Sequence, residues 1–229
     1  NLSWNNSIVE LHKPENIGKY RDNFYQRLAY DEIFSTFLVN SEIRKKIKKV
    51  KKKNKILDLK EQNRLIEKLD FSLTNDQINV LKEINKDLSS SDKMFRLLQG
   101  DVGSGKTIVA LLSAFNTINS GFQVALMAPT EILARQHFNL AKKIFPKNLK
   151  IEYISGKSDY KDKKRILNEI KENRIDIIFG THAIFQKKVI FKKLGLIIID
   201  EQHKFGVNQR KKLSDKGGHD CDILIMTAT

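Results

Sequence analysis

Tyr30, Ile33, Phe34, Phe37 and Leu38 recur at i, i+3, i+4, i+7 and i+8. That spacing puts five apolar side chains on one stripe and predicts an amphipathic helix. Ile43, Ile47 and Val50 continue at helical spacing through a lysine-rich run, which predicts that they face inward and the lysines outward. No glycine lies between Gly18 and Gly100, and no proline between Pro14 and Pro129. A stretch so poor in breakers reads as mostly helical. Residues 1–17 read as an extended piece and a turn.

From about residue 71 the pattern changes. Short β-rich apolar runs appear at Phe95–Leu98, Val124–Ala128, Ile151–Ile154, Ile175–Phe179, Leu196–Ile199 and Ile223–Met226. Ile197, Ile198 and Ile199 show no polar alternation, as expected of a central parallel strand covered on both faces. Helical patterns separate the runs, such as Ile108, Leu111, Leu112, Phe115 and Ile118. The alternation predicts an α/β fold with a parallel sheet. Right-handed crossovers then place helices on both of its faces. The predicted division is a helical connector over 1–70 and an α/β lobe over 71–229.

Composition narrows the class. With 229 residues and 40% hydrophobic content, the chain has material for a real core. No apolar run approaches the length of a transmembrane helix, and no secretory signal pattern opens the chain. A single cysteine, Cys221, excludes an internal disulfide and a cysteine-based zinc site and fits a reducing compartment. The formal net charge of +15 suggests a nucleic-acid partner, but residues 43–55 supply nine basic residues of that excess. Lysine outnumbers arginine 33 to 9, so AT-rich coding competes as an explanation. The basic run has two readings, a solvated helix face and a strip that brushes a phosphate backbone. The chain starts at Asn1 without an initiator Met and stops at Thr229 directly after a strand-like run, so a fragment of a longer protein is expected.

The strongest chemical signal is Gly100-Asp101-Val102-Gly103-Ser104-Gly105-Lys106-Thr107, which fits G-x-x-x-x-G-K-[ST] between a strand and a helix. Backbone N–H groups of such a loop turn inward around phosphate oxygens. The helix that follows aims its positive end at the same anion. Lys106 can reach the β and γ phosphates and the Thr107 hydroxyl can bind Mg²⁺. The second signal is Asp200-Glu201 after the run 196–199. Carboxylates at the C-terminal end of a buried parallel strand sit where open α/β sheets bind ligands. Asp200 can join the Mg²⁺ shell, and Glu201 can orient or deprotonate water.

Together these segments resemble a known family. Asp200-Glu201-Gln202-His203 is similar to helicase motif II of the DExH type, and Phe205-Gly206-Val207-x-Gln209-Arg210-x-x-Leu213 to its continuation in the RecG branch-migration helicases. The segments 100–107, Ala128–His137, Gly180–Ala183 and Met226–Thr229 also resemble RecG motifs, in the right order. Phe71–Gln77 is similar to the adenine-recognising Q motif, and Gln26–Glu32 to the helical connector before that motor. The transcription-repair coupling translocases share much of this lobe, but their motif II typically reads DEEH, and Gln202 favours RecG.

The resemblance implies a RecA-like P-loop lobe, truncated after motif III, that hydrolyses ATP with Mg²⁺ and translocates on duplex DNA. Branched DNA, namely stalled forks and Holliday junctions, would be the substrate. Gln77 would read the adenine edge with Phe71 against the base, although Thr74-x-x-Gln77 is equally a capping box. Pro129, Thr130, Gly180, Thr181 and His182 would lie on DNA-facing loops, with helix N-capping as the structural reading of the two threonines. Gln202, His203, Thr227 and Thr229 would couple hydrolysis to movement. A second motor lobe with the arginine finger and a wedge domain would complete the enzyme, a monomer of the bacterial cytoplasm associated with the nucleoid. A non-catalytic nucleotide-dependent binding module is the alternative class. His137 is expected to be packed, Cys221 to be a buried thiol and Trp4 a packing anchor. Ile154-Ser155-Gly156 departs from the Thr-Gly usual in this helicase motif.

Overall fold

A computed structural model describes residues 3–13, 21–48, 51–156, 159–186, 188–200, 218 and 220–228. Within it the chain divides into two compact units, Asn1–Ile47 and Lys48–Thr229. The expected boundary at 70/71 falls inside the second unit. The stretch 51–70 packs with the lobe because Leu65, on helix α3 (Leu59–Glu67), joins the lobe's core.

The first unit holds α1 (Trp4–Leu11) and α2 (Arg21–Lys48). The extended piece expected over 1–17 is instead helical between Trp4 and Leu11. The Ser3 side chain caps that helix by accepting from the Asn6 N–H, which satisfies one of its orphan donors. Trp4 is 52% exposed, so the expected packing anchor is not buried. Helix α2 forms where the apolar stripe predicts it. Tyr30 and Phe34 stack along it at 5.8 Å, yet Ile33 and Phe37 are exposed. The side chains of Ile43, Ile47 and Val50 lie outside the described residues.

The basic run does not behave as a helix face throughout. Helix α2 ends at Lys48, and Lys51 is bridged to Asp92. Lys52 and Lys55 turn into the lobe and are fully buried, each with its ammonium 2.6 Å from Asp222. Asp222 also accepts the Met94 N–H at 2.7 Å, while Lys52 donates to the carbonyls of Asp87 and Leu88. These two lysines are neither solvated nor free for phosphate.

The second unit is a six-stranded sheet: β1 (Phe95–Gln99), β2 (Gln123–Met127), β3 (Ile151–Ile154), β4 (Ile177–Gly180), β5 (Leu194–Asp200) and β6 (Asp222–Thr227). The order is β1-β6-β5-β2-β4-β3 and every pairing is parallel. All six expected strands are present. Residues alternate between two cores, since successive side chains leave opposite faces. Leu196, Ile198, Leu224 and Met226 pack toward α4 (Asn75–Ser89), α5 (Lys106–Asn119) and α6 (Glu131–Ile144). Ile197, Ile199, Ile223 and Ile225 pack toward α7 (Tyr160–Lys171). Helix α5 is buried nearly all round because α3 and α4 cover the side it turns from the sheet.

Candidate nucleotide and nucleic-acid site

In an all-parallel sheet the strands' C-terminal ends share one edge. Along it come, in order, the loop after β1, Thr227 at the end of β6, Asp200 at the end of β5, the 129–130 turn after β2, and Gly180 with Thr181 and His182 after β4. The sheet therefore gathers segments as far apart in sequence as Gly100 and Thr227.

The loop 100–107 is built for an anion. Gly103 and Gly105 take φ of 83° and 80°, which only glycine adopts without strain, and Gly105 leads directly into α5. The N-terminal end of α5 therefore opens onto the loop. Lys106 curls back so that its ammonium donates to the carbonyls of Gly100 (2.6 Å) and Asp101 (2.8 Å). Thr107 follows it in the first turn of α5, half-buried. The Gly100 N–H donates to the Thr227 carbonyl at 3.4 Å, which ties the loop to the end of β6.

Gln77 meets its structural reading as part of a helix cap. Its Oε1 accepts the Thr74 N–H while Thr74 Oγ1 accepts the Gln77 N–H, a complete capping box on α4. Its Nε2 donates to the Ser104 carbonyl at 2.9 Å, which seats the amide against the phosphate loop. Phe71 is half-exposed on the wall of a cleft of about 740 Å³ between α3 and α4, with Leu73, Ile78 and Lys82. Gln77 and residues 100–107 do not line that cleft.

Asp200 is nearly buried and its Oδ2 lies 2.7 Å from His137 Nε2. An ionised carboxylate only accepts, so Nε2 carries the proton and donates. Packing alone was expected for His137. It is packed, but between Ala134 and Ala141 on the buried side of α6, and it is also bound to the site. The sequence held no local signal for this, because the two residues are 63 positions apart.

Thr130 caps α6, its Oγ1 accepting the Leu133 N–H, and is exposed beside the half-buried Pro129. Thr181 precedes a short 3₁₀ helix, His182–Phe185, without a side-chain cap. His182 is exposed. Gly180 has a packing role of its own: a Cβ there would stand 2.2 Å from the Ile154 carbonyl oxygen. Ser155 is buried. Cys221 is buried, and burial, opposed by Lys93, pushes its thiol up to about 12. Glu201, Gln202, His203 and Thr229 lie outside the described residues.

The hard oxygens of Thr107 and Asp200 suit Mg²⁺, which uses one or two protein ligands together with phosphate oxygens. Among the described residues no group of three or more His, Cys, Asp and Glu forms a metal cage. The donor chemistry of Thr107 and Asp200 fits such a cation.

A parallel sheet, a phosphate loop opening a buried helix and an acidic end on a central strand define a RecA-like nucleotide-binding lobe. Residues 74–229 match the DEAD/DEAH box helicase family, and the chain belongs to it. It is 44% identical to the ATP-dependent DNA helicase RecG of Aquifex aeolicus, a match over 97% of this chain and 29% of that protein. It is 44% identical to RecG of Borreliella burgdorferi, over 100% of this chain and 33% of that protein. The structure of RecG bound to a three-way DNA junction superposes with a TM-score of 0.76 at 38% identity, over 91% of this chain and 28% of that one. The DEAD-box helicase Mss116 shares the fold, with a TM-score of 0.60 at 22% identity over 75% of this chain and 38% of that one. The chain therefore spans 29 to 33% of the RecG proteins it matches here.

Proposed function

We propose that this chain is the first, ATP-binding motor lobe of a RecG-type DNA helicase that acts on branched duplex DNA. The observation that carries the reading is the single sheet edge. It brings the phosphate loop, Thr227, Asp200 and the 129–130 and 180–182 loops into one row. Nucleotide chemistry occupies one end of that row and polynucleotide contact the other.

In this reading the loop N–H groups and Lys106 cradle the phosphates, and Lys106 exchanges its own-loop carbonyls for the β and γ oxygens. Gln77 reads the adenine edge, and Phe71 packs near the base. Thr107 and Asp200 hold Mg²⁺, whose charge offsets that developing on the transferred phosphoryl group. Glu201 orients the attacking water. Pro129, Thr130, Gly180, Thr181 and His182 contact the DNA backbone, which positions a strand without reading its sequence. Gln202, His203, Thr227 and Thr229 transmit the state of the nucleotide. A second motor lobe and a wedge domain complete the enzyme, and the helical unit before the lobe connects to the wedge. The working protein is a monomer of the bacterial cytoplasm, at the nucleoid. Among the described residues no helix is long and apolar enough to cross a membrane.

The test uses the full-length protein, ATP, Mg²⁺ and a three-way DNA junction. Junction unwinding and DNA-stimulated ATP hydrolysis are expected, both lost in Lys106→Ala. Unchanged hydrolysis in that variant would reject the motor reading and leave the non-catalytic nucleotide-dependent binding module.

A further inference from the structure

Asp200 stands at the middle of the sheet edge, between the phosphate loop and the two loops proposed above to face DNA. Its nearly buried carboxylate has one oxygen committed to His137 at 2.7 Å. His137 sits in the middle of α6, the helix whose N-terminal cap is Thr130 on the 129–130 turn. The helix is fixed on both sides of the imidazole, since Ala134 and Ala141 are fully buried against the sheet. The same rigid element therefore presents one end at the proposed DNA surface and holds the carboxylate from its middle. Nothing else in the nucleotide chemistry described above uses the imidazole.

We propose that His137 is the positioning residue of Asp200, and that α6 thereby links contact at Thr130 to Mg²⁺ binding at the nucleotide. A donated hydrogen bond fixes which carboxylate oxygen is left for the cation and holds the side chain in one orientation. Partners of this kind, hydrogen-bonded to a ligating group, typically change metal affinity 10–100-fold when removed. The inference rests on the proposed nucleotide site, and its test separates the two.

The experiment uses the full-length protein and a fluorescent ADP analogue, titrated with Mg²⁺ with and without a three-way junction. His137→Gln keeps a donor at similar reach, and His137→Met keeps the length and removes the donor. The Mg²⁺ midpoint is expected to rise about tenfold or more in H137M and to stay within about threefold of wild type in H137Q. Nucleotide binding without metal stays unchanged in both. Junction DNA lowers the midpoint in wild type and H137Q and not in H137M. An unchanged midpoint in H137M overturns the positioning role, and an equal DNA effect in all three overturns the link through α6. Loss of nucleotide binding in wild type would instead reject the underlying site. Should H137M not fold, the wild type decides. With ¹⁵N-labelled histidine, the Nε2–H resonance assigned through H137Q shifts on adding Mg²⁺ to nucleotide-loaded protein, and its constancy overturns the proposal.

Discussion

The Lys55 ammonium lies 2.6 Å from the Asp222 carboxylate, and neither side chain is accessible to solvent. Lys52 approaches the same carboxylate oxygen at the same distance. Two cations thus share one anion in the interior, and the cluster holds because the remaining donors reach backbone carbonyls. It fastens the stretch after α2 to the start of β6. Removing the anion strands two buried charges. Asp222→Ala is expected to destabilise the lobe by about 3–5 kcal/mol. Lys51→Ala, which breaks only the exposed pair with Asp92, should cost no more than about 1 kcal/mol. Urea unfolding of both variants checks this; equal effects would deny the cluster its role.

Cys221 gives a pH signature of known sign. Its thiol is pushed from an ordinary 9.0 to about 12, chiefly by burial. Below pH 9 folded and unfolded chains both keep the proton. Above it the unfolded chain releases the proton and the folded one retains it, so unfolding gains about 1.4 kcal/mol per pH unit. Lys52 works in the opposite direction. Burial lowers its pKa below 10.5, so its charge costs stability that is recovered as pH rises toward 10.5. Comparison with Cys221→Ala isolates the thiol. The stability of wild type relative to the variant should be constant below pH 9 and fall above it. A constant difference up to pH 11 would contradict the burial argument.

Gly180 ends β4 against the backbone of β3. A methyl group there would meet the Ile154 carbonyl oxygen at 2.2 Å, and that oxygen cannot swing aside as a side-chain tip could. Gly180→Ala is expected to cost about 1–3 kcal/mol through a forced backbone shift. Thermal melting of the variant measures the loss. A wild-type melting temperature would show that β3 and β4 separate freely.

Much of this fold was readable because its signals are local. An unbroken run such as Ile197–Ile199 carries its own evidence of burial, and residues 100–107 carry their geometry in three glycines and a lysine. What escaped was decided by distant partners. Lys52 and Lys55 sit in a run that reads as solvated, and only Asp222, 170 and 167 residues away, explains their burial. His137 shows nothing of Asp200 at helical spacing. Helix α1 was missed for a different reason: it is only eight residues long, too short for its apolar spacing to repeat. Glu201, Gln202 and His203 rest on the motif resemblance alone, since they lie outside the described residues.

Thr74 and Gln77 share one capping box, yet their substitutions should differ. Thr74→Ala removes the cap of α4 and is expected to cost about 0.5–2 kcal/mol without altering nucleotide preference. Gln77→Ala loses the other half of the box, the bond to the Ser104 carbonyl and the proposed adenine contact. Its preference for ATP over GTP should collapse. Competition binding with the two nucleotides distinguishes the variants. Equal preference in wild type and Gln77→Ala would confine Gln77 to the cap.

A polypeptide of residues 1–229 should bind ATP·Mg²⁺ and hydrolyse it very slowly. Binding follows from parts held on this lobe: the loop 100–107, the start of α5 and the end of β5. Turnover needs more. The family resemblance places the arginine finger on the second lobe, and such a finger is worth roughly 10³–10⁵ in rate in related phosphoryl-transfer enzymes. Without it, the proposed reading leaves Lys106 to meet the γ-phosphate among the described residues. Equilibrium binding of a fluorescent nucleotide should therefore be retained by 1–229 and lost in Lys106→Ala. Steady-state hydrolysis by 1–229 should stay near background, with or without DNA. Robust DNA-stimulated turnover by pure, monomeric 1–229 would show that one lobe holds the whole catalytic set, and would overturn the division of labour argued for this edge of the sheet.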